Sequence, residues 1–199
     1  MYYNWRGGSS EGIKEIASVL RREGTVAVVP TETVYGLVGR VSDSLCREKI
    51  YELKHRDPAK HLGWFVSDTF QLEKNGIRLS GYAKLLAEKF MPGPLTLIVK
   101  KEDGSTVGFR IPDHPQLLAL LREVGEPLFQ TSANRSGNPN ALSCAEAVEM
   151  LCGTADAVAD GGDIPADALA STIVDCTGEF PVIIRQGGLN LDEFLQSLR

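Results

Sequence analysis

The chain has 199 residues, with 21 Lys+Arg against 26 Asp+Glu and a formal net charge of −5. At 43% hydrophobic and 24% charged it has the composition of a globular protein with room for a substantial core. The acidic balance argues against a dedicated nucleic-acid binder. No apolar run approaches the ~18 residues of a membrane span, and Met1–Glu11 lacks the apolar stretch of a signal peptide. Cys46, Cys144, Cys152 and Cys176 are scattered with no CxxC pair, which points away from a zinc ribbon or disulfide framework and toward a reducing cytoplasm.

In chain order, Ile13, Ile16, Ala17 and Leu20 share one face of a helix over 9–23, with Ser9 or Ser10 as cap and Gly24 as stop. Residues 25–29 form a β-branched run ended by Pro30, hence a buried strand. Helices are expected over 43–54, 80–90, 114–124 and 143–152, and strands over 62–66, 95–100, 106–111, 127–130, 156–159, 171–175 and 181–185. Leu191, Phe194, Leu195 and Leu198 mark a closing amphipathic helix within 189–199. Helices interleave with strands, yet several strands follow one another directly. This predicts a single α/β domain over 1–199, with its core at about 10–187 and a mixed parallel and antiparallel sheet.

The familiar catalytic signatures are absent: no GxxxxGK[ST], no GxGxxG, no GxSxG and no HExxH. His55, His61 and His114 lack metal-ligand spacing and read as surface residues. Five segments stand out instead. Pro30–Gly36 (PTETVYG) is a polar run directly after a buried strand, where open α/β sheets place ligands. Lys54–Lys60 (KHRDPAK) concentrates cations in an acidic chain; read as extended before Pro58, it turns Lys54 and Arg56 to one side, an arrangement suited to polyphosphate. Alternation along 106–112 sets Thr106, Gly108 and Arg110 on one face, so Arg110 must meet an anionic ligand or a buried acid. Thr131–Gly137 (TSANRSG) reads as a small-residue loop friendly to anions or nucleosides. Finally, Ser171–Asp175 and Arg185–Gly187 bring a Ser-Thr pair and an Arg together across a hairpin.

Taken in order, PTETVYGL (30–37), KHRDPAK (54–60), MPGPLTLIV (91–99), VGFRIP (107–112), TSANRSG (131–137), STIVD (171–175) and IIRQG (183–187) resemble the YrdC-like family of L-threonylcarbamoyl-AMP synthases. The resemblance implies a twisted mixed sheet flanked by helices around an open, positively lined cavity. It also implies formation of L-threonylcarbamoyl-AMP and pyrophosphate from ATP, L-threonine and bicarbonate. By the same resemblance Lys54 and Arg56 are catalytic. Arg56, Lys60, Thr106, Ser132, Asn134, Asn140 and Arg185 bind ATP, while Thr33, Arg110 and Ser171 bind threonine. Mg2+ would arrive with ATP rather than on a protein site. The product would serve threonylcarbamoyl modification of tRNA adenosine beside the anticodon, through tRNA-modification partner proteins and with a weak tRNA contact at most. Two departures stand out: His61-Leu62 replaces a Pro-Leu of many relatives, and Phe65 stands where longer relatives carry a substrate-touching His. The end of the chain twelve residues after Gly187 reads as the short, single-domain form. Two alternatives differ in kind: a non-catalytic double-stranded RNA or tRNA module, and a same-fold enzyme acting on another carbamoyl substrate.

Overall fold

The computed structural model describes residues 1–151 and 155–196. Its strands are β1 (Tyr2–Asn4), β2 (Ala27–Val29), β3 (Gly36–Arg40), β4 (Gly63–Phe65), β5 (Leu95–Lys100), β6 (Thr106–Arg110), β7 (Leu128–Ser132), β8 (Ala157–Asp160), β9 (Thr172–Asp175) and β10 (Val182–Arg185). Among the described residues they form one sheet in the order β1-β8-β2-β3-β7-β4-β6-β5-β9-β10. Four neighbouring pairs are parallel (β1–β8, β8–β2, β4–β6, β5–β9) and the remaining five are antiparallel. This is the mixed, helix-flanked sheet that the interleaving of elements predicts.

The helices are α1 (Ile13–Leu20), α2 (Ser44–Lys54), α3 (Thr69–Glu73), α4 (Gly81–Phe90), α5 (Pro115–Val124), α6 (Cys144–Met150) and α7 (Asp192–Gln196). Two-residue alternation along the strands sorts the core. Ala27, Val29, Val38 and Leu128 meet Ile16, Leu20, Leu117 and Leu121 of α1 and α5. Val28, Leu37, Phe129 and Val158 turn the other way, onto Cys46 and Ile50 of α2 and Ala147 of α6. In the other half of the sheet, Leu95, Leu97, Val107 and Phe109 pack under Leu72, Ala83 and Leu86 of α3 and α4. Each such fully buried Leu or Val contributes about 1.5–3 kcal/mol of burial free energy. The residues between them, Thr96, Gly108 and Arg110, therefore face away from α4. That outward face of β4, β5, β6 and β9 is where the cavity lies.

Several local expectations differ from the structure. Helix α1 starts after Gly12, which has a φ of +70°, rather than at a Ser9 or Ser10 cap, because Arg6–Gly8 form a separate 3-10 turn. The strands β1 and β3 and the short helix α3 have no counterpart in the sequence reading. The pattern of β3 (Gly-Leu-Val-Gly-Arg) hides a strand whose Gly36–Gly39 are all buried. Gly39 is required there, since a Cβ would stand 2.0 Å from Cys46 Sγ of α2. Thr131 and Ser132 close β7 instead of opening a loop. Lys54 is the last residue of α2, followed by His55 in the left-handed region at φ +47°, so 54–56 is not extended. The expected helix end at Cys152, and residues 197–199 of the closing helix, lie outside the described residues.

Candidate active site

Arg110, at the end of β6, is 2% exposed, and its neighbours account for its burial. Its Nε donates to the carbonyl of Gly93 at 3.1 Å and its Nη1 to Thr33 Oγ1 at 3.1 Å. Glu32 Oε1 lies 2.6 Å from Nη2 and also accepts from the Asp113 amide at 3.0 Å. A half-buried acid thus meets the strand arginine, the kind of partner its position on a strand face demands. Thr33 is itself set by Thr31, whose hydroxyl lies 2.9 Å from Thr33 Oγ1 and accepts from the amides of Thr33 and Val34. The PTETVYG segment is a tight hydroxyl-pinned turn that delivers Glu32 and Thr33 to either side of one guanidinium.

A cavity of about 220 Å³ opens beside this pair. Thr33, Arg110 and Ser171 line it together with Arg56, Ser132, Asn140 and Arg185. Ser171 Oγ lies 2.9 Å from Thr96 Oγ1 and 3.3 Å from Arg185 Nη2, while Arg185 donates to the Ser171 carbonyl at 2.8 Å. The hairpin contact inferred from STIVD and IIRQG therefore exists, formed across β9 and β10. Burial first, and then the like charge of Arg110, push the Arg185 pKa down. Arg110 and Arg185 repel across a cavity whose lining, with Arg56, includes among the described residues three guanidiniums and no carboxylate, a positive excess that suits an anionic ligand. Arg56 stands at the rim, its side chain donating to the carbonyls of Lys60 and His61 at 3.2 and 2.9 Å.

Four of the residues singled out from the sequence are not part of this lining. Lys54 is 1% exposed, and its ammonium is bound to the carbonyls of Ser132 and Asn134, with Asn134 Oδ1 at 3.4 Å. It faces the backbone of the TSANRSG segment, not a common side with Arg56, because a helix end and a left-handed residue separate the two. Burial, followed by the charge of Arg56, lowers its pKa to about 7. Asn134 is buried too: its Nδ2 donates to the carbonyls of Asn138 and Pro139, and its Oδ1 accepts from Ser132. Lys60 is exposed on the outer loop, and Thr106 sits exposed at the far end of β6, four residues and roughly 13 Å along the strand from Arg110. His114 is half-buried rather than on the surface: it caps α5, stacks on Trp5 at 6.1 Å, and burial lowers its pKa.

The sequence reading did not identify Thr96, Gln130 and the bare floor at Gly63 as cavity residues. A glutamine closing the apolar run Pro-Leu-Phe-Gln130 was the available signal. Among the described residues no group of three His, Cys, Asp or Glu could hold a metal ion. Burial pushes the thiols of Cys46, Cys144 and Cys176 up to about 12, 11 and 12, so none is poised as a thiolate nucleophile. No helix of the described residues is long and apolar enough to cross a membrane.

Fold and site together define an open mixed α/β domain with an arginine-lined pocket on its sheet face. Residues 19–187 match the Sua5/YciO/YrdC family model, described as "Telomere recombination", and the chain belongs to that family. A threonylcarbamoyl-AMP synthase of Bacillus subtilis is 37% identical over 187 residues, covering 89% of this chain and 54% of that protein. The chain thus spans about half the length of that relative. One from Chromohalobacter salexigens is 32% identical over 176 residues, covering 84% of this chain and 94% of that protein. The crystal structure of Pyrococcus abyssi Sua5 complexed with L-threonine superposes with a TM-score of 0.89 at 32% identity, covering 98% of this chain and 60% of that one. Escherichia coli YciO, at 24% identity, shares the fold with a TM-score of 0.84 and 98% of each chain covered.

Proposed function

We propose that this chain is an L-threonylcarbamoyl-AMP synthase, using ATP, L-threonine and bicarbonate. The observation that carries the reading is Arg110, a buried guanidinium held by Glu32, Thr33 and Gly93 at the wall of a cavity large enough for an amino acid. The names of the relatives, and the threonine bound to Sua5, support the same substrate.

Arg110 and the Thr33 hydroxyl would take the threonine carboxylate, with Ser171 across the cavity. The amine attacks the carbon of CO2 derived from bicarbonate, losing a proton and giving N-carboxythreonine. The new carboxylate oxygen then attacks the α-phosphorus of ATP, and the bond to the bridging oxygen breaks to release pyrophosphate. No protein nucleophile is required. The phosphates would lie against Arg56 and Arg185, with Ser132 and Asn140 beside them. Positioning and fixed positive charge then carry the catalysis. Mg2+ would enter on the phosphates and offset their charge, coordinated by phosphate oxygens and water. Lys54 acts at one remove, pinning the end of β7 at Ser132 and the turn at Asn134 that follows it. The product would feed tRNA threonylcarbamoylation by partner proteins.

Pyrophosphate release measured with each reactant omitted in turn tests this reading. Release that needs both L-threonine and bicarbonate is expected. Release independent of either, or none at all with ATP bound, contradicts it.

A further inference from the structure

Carbamate formation releases protons into a cavity with an excess of positive charge. Threonine enters as an ammonium, whose nitrogen has no free lone pair and must lose two protons to become the carbamate. Dehydration of bicarbonate to CO2 and water consumes one of them. The other needs an acceptor. The arginines that line the cavity, Arg56, Arg110 and Arg185, stay charged, and its hydroxyls and amides are weak bases. Among the described residues the lining includes no carboxylate. Two ionisable groups that touch lining residues from behind are committed there: Glu32 to Arg110, and the Lys54 ammonium to the carbonyls of Ser132 and Asn134. His61 is the lining side chain whose type exchanges a proton near neutral pH.

The backbone on both sides of that imidazole is held. The His61 carbonyl accepts from Arg56 Nη2 at 2.9 Å, and the Lys60 carbonyl accepts from Arg56 Nε at 3.2 Å and from the Tyr51 hydroxyl at 2.9 Å. On the other side Leu62 is buried against the α2 and α6 side of the core. Alternation carried back from β4 then turns residue 61 to the side of Gly63, and both line the cavity. His61 itself is exposed, so its ring reaches cavity and solvent alike. We infer that His61 is a catalytic base for the carboxylation of threonine, an inference that rests on the synthase reading. The nitrogen lone pair forms the bond to the carbon of CO2, one C=O pair moves onto oxygen to complete the carboxylate, and the proton passes from nitrogen to the imidazole and on to solvent.

The test follows pyrophosphate release for the wild type and for His61→Gln, which keeps a polar side chain but cannot take the proton. The ratio of their kcat/KM values for L-threonine is read at each pH, which cancels the bicarbonate–CO2 equilibrium and the titration of threonine itself. The charged groups that share the cavity with His61, namely Arg56, Arg110 and Arg185, together with the neighbouring Lys60, are the same in both proteins. General-base catalysis is worth roughly 10²–10⁴-fold, and a loss of about 10²-fold at pH 8 is expected, with KM for ATP within about 2-fold of wild type. The ratio should shrink toward acid pH, where an imidazole is already protonated. In His61→Ala, added imidazole should restore turnover in proportion to its concentration. A ratio near one at every pH, or a pH-independent loss that imidazole does not restore, overturns the inference. A wild type that releases no pyrophosphate with threonine and bicarbonate sinks the synthase reading instead, so the two failures are distinguishable.

Discussion

In the proposed reading the Glu32–Arg110 pair joins substrate binding to stability in two side chains. Removing Arg110 alone leaves a mostly buried carboxylate without its countercharge. Arg110→Met should therefore cost about 3–5 kcal/mol in urea denaturation. Adding Glu32→Gln should restore most of that loss, because the stranded charge goes with it; a double variant no more stable than the single one contradicts the pairing. Lys54 makes a different prediction, in pH. Its amine titrates at about 7 in the fold and near its ordinary 10.5 in the unfolded chain. Between those values the unfolded chain holds the extra proton, so stability rises with pH from about 7 to about 10, by up to ~1.4 kcal/mol per pH unit. Below pH 7 both states are charged and the effect is constant. Urea midpoints of the wild type and Lys54→Met should accordingly draw apart in the wild type's favour between pH 7 and pH 9; parallel curves refute the assignment. At this scale the sequence shows that Arg110 needs a partner, but not that Lys54 is buried. The latter depends on where the end of α2 meets the Ser132 and Asn134 carbonyls, a contact 78 and 80 residues away that no spacing rule reveals.

At the scale of elements, two glycines fix how pieces of chain meet, and they differ in what a methyl would strike. At Gly39 the obstacle is Cys46 Sγ, a side chain of α2, 2.0 Å from a Cβ. Gly39→Ala should destabilise by about 1–3 kcal/mol through overpacking, and Cys46→Ala in the same chain should relieve much of it. At Gly187 the obstacles are backbone: the Ala170 carbonyl at 2.1 Å and Ser171 C at 2.5 Å. No side-chain replacement can relieve that clash, so thermal melts should show the larger loss for Gly187→Ala, with Ser171 and Arg185 displaced and turnover lost. A variant with wild-type melting temperature and turnover counts against this packing. The same contrast explains which elements are legible in the sequence. Helix α5, with a Leu-rich face, and β5, a continuous Leu-Thr-Leu-Ile-Val run, announce themselves by periodicity. Strand β3 does not, because two of its five residues are glycine, one of them, Gly39, fixed by the close approach of α2 rather than by strand formation. Strand β1 is a three-residue edge that exists only because β8 is there to pair with it.

Across the whole molecule, the cavity assembles pieces from residue 33 to residue 185, and no local pattern can show that they meet. The family resemblance points to seven residues that line the cavity together, six of them inside the ordered motifs and Asn140 just beyond TSANRSG. It also points to Lys54, Lys60, Thr106 and Asn134, which the fold leaves outside the lining. The difference lies in what a motif records: the residues that must be present near a site, whether they face the ligand or brace the loop that does. The central claim is that L-threonine is held by Arg110 within this cavity, and its most direct test is calorimetric titration of L-threonine into two proteins. These are the wild type and Glu32→Gln/Arg110→Met, in which the buried charges are removed together so that the fold survives. Saturable heat from the wild type and none from the folded double variant is the predicted result. Equal binding by both would place threonine elsewhere and contradict the account.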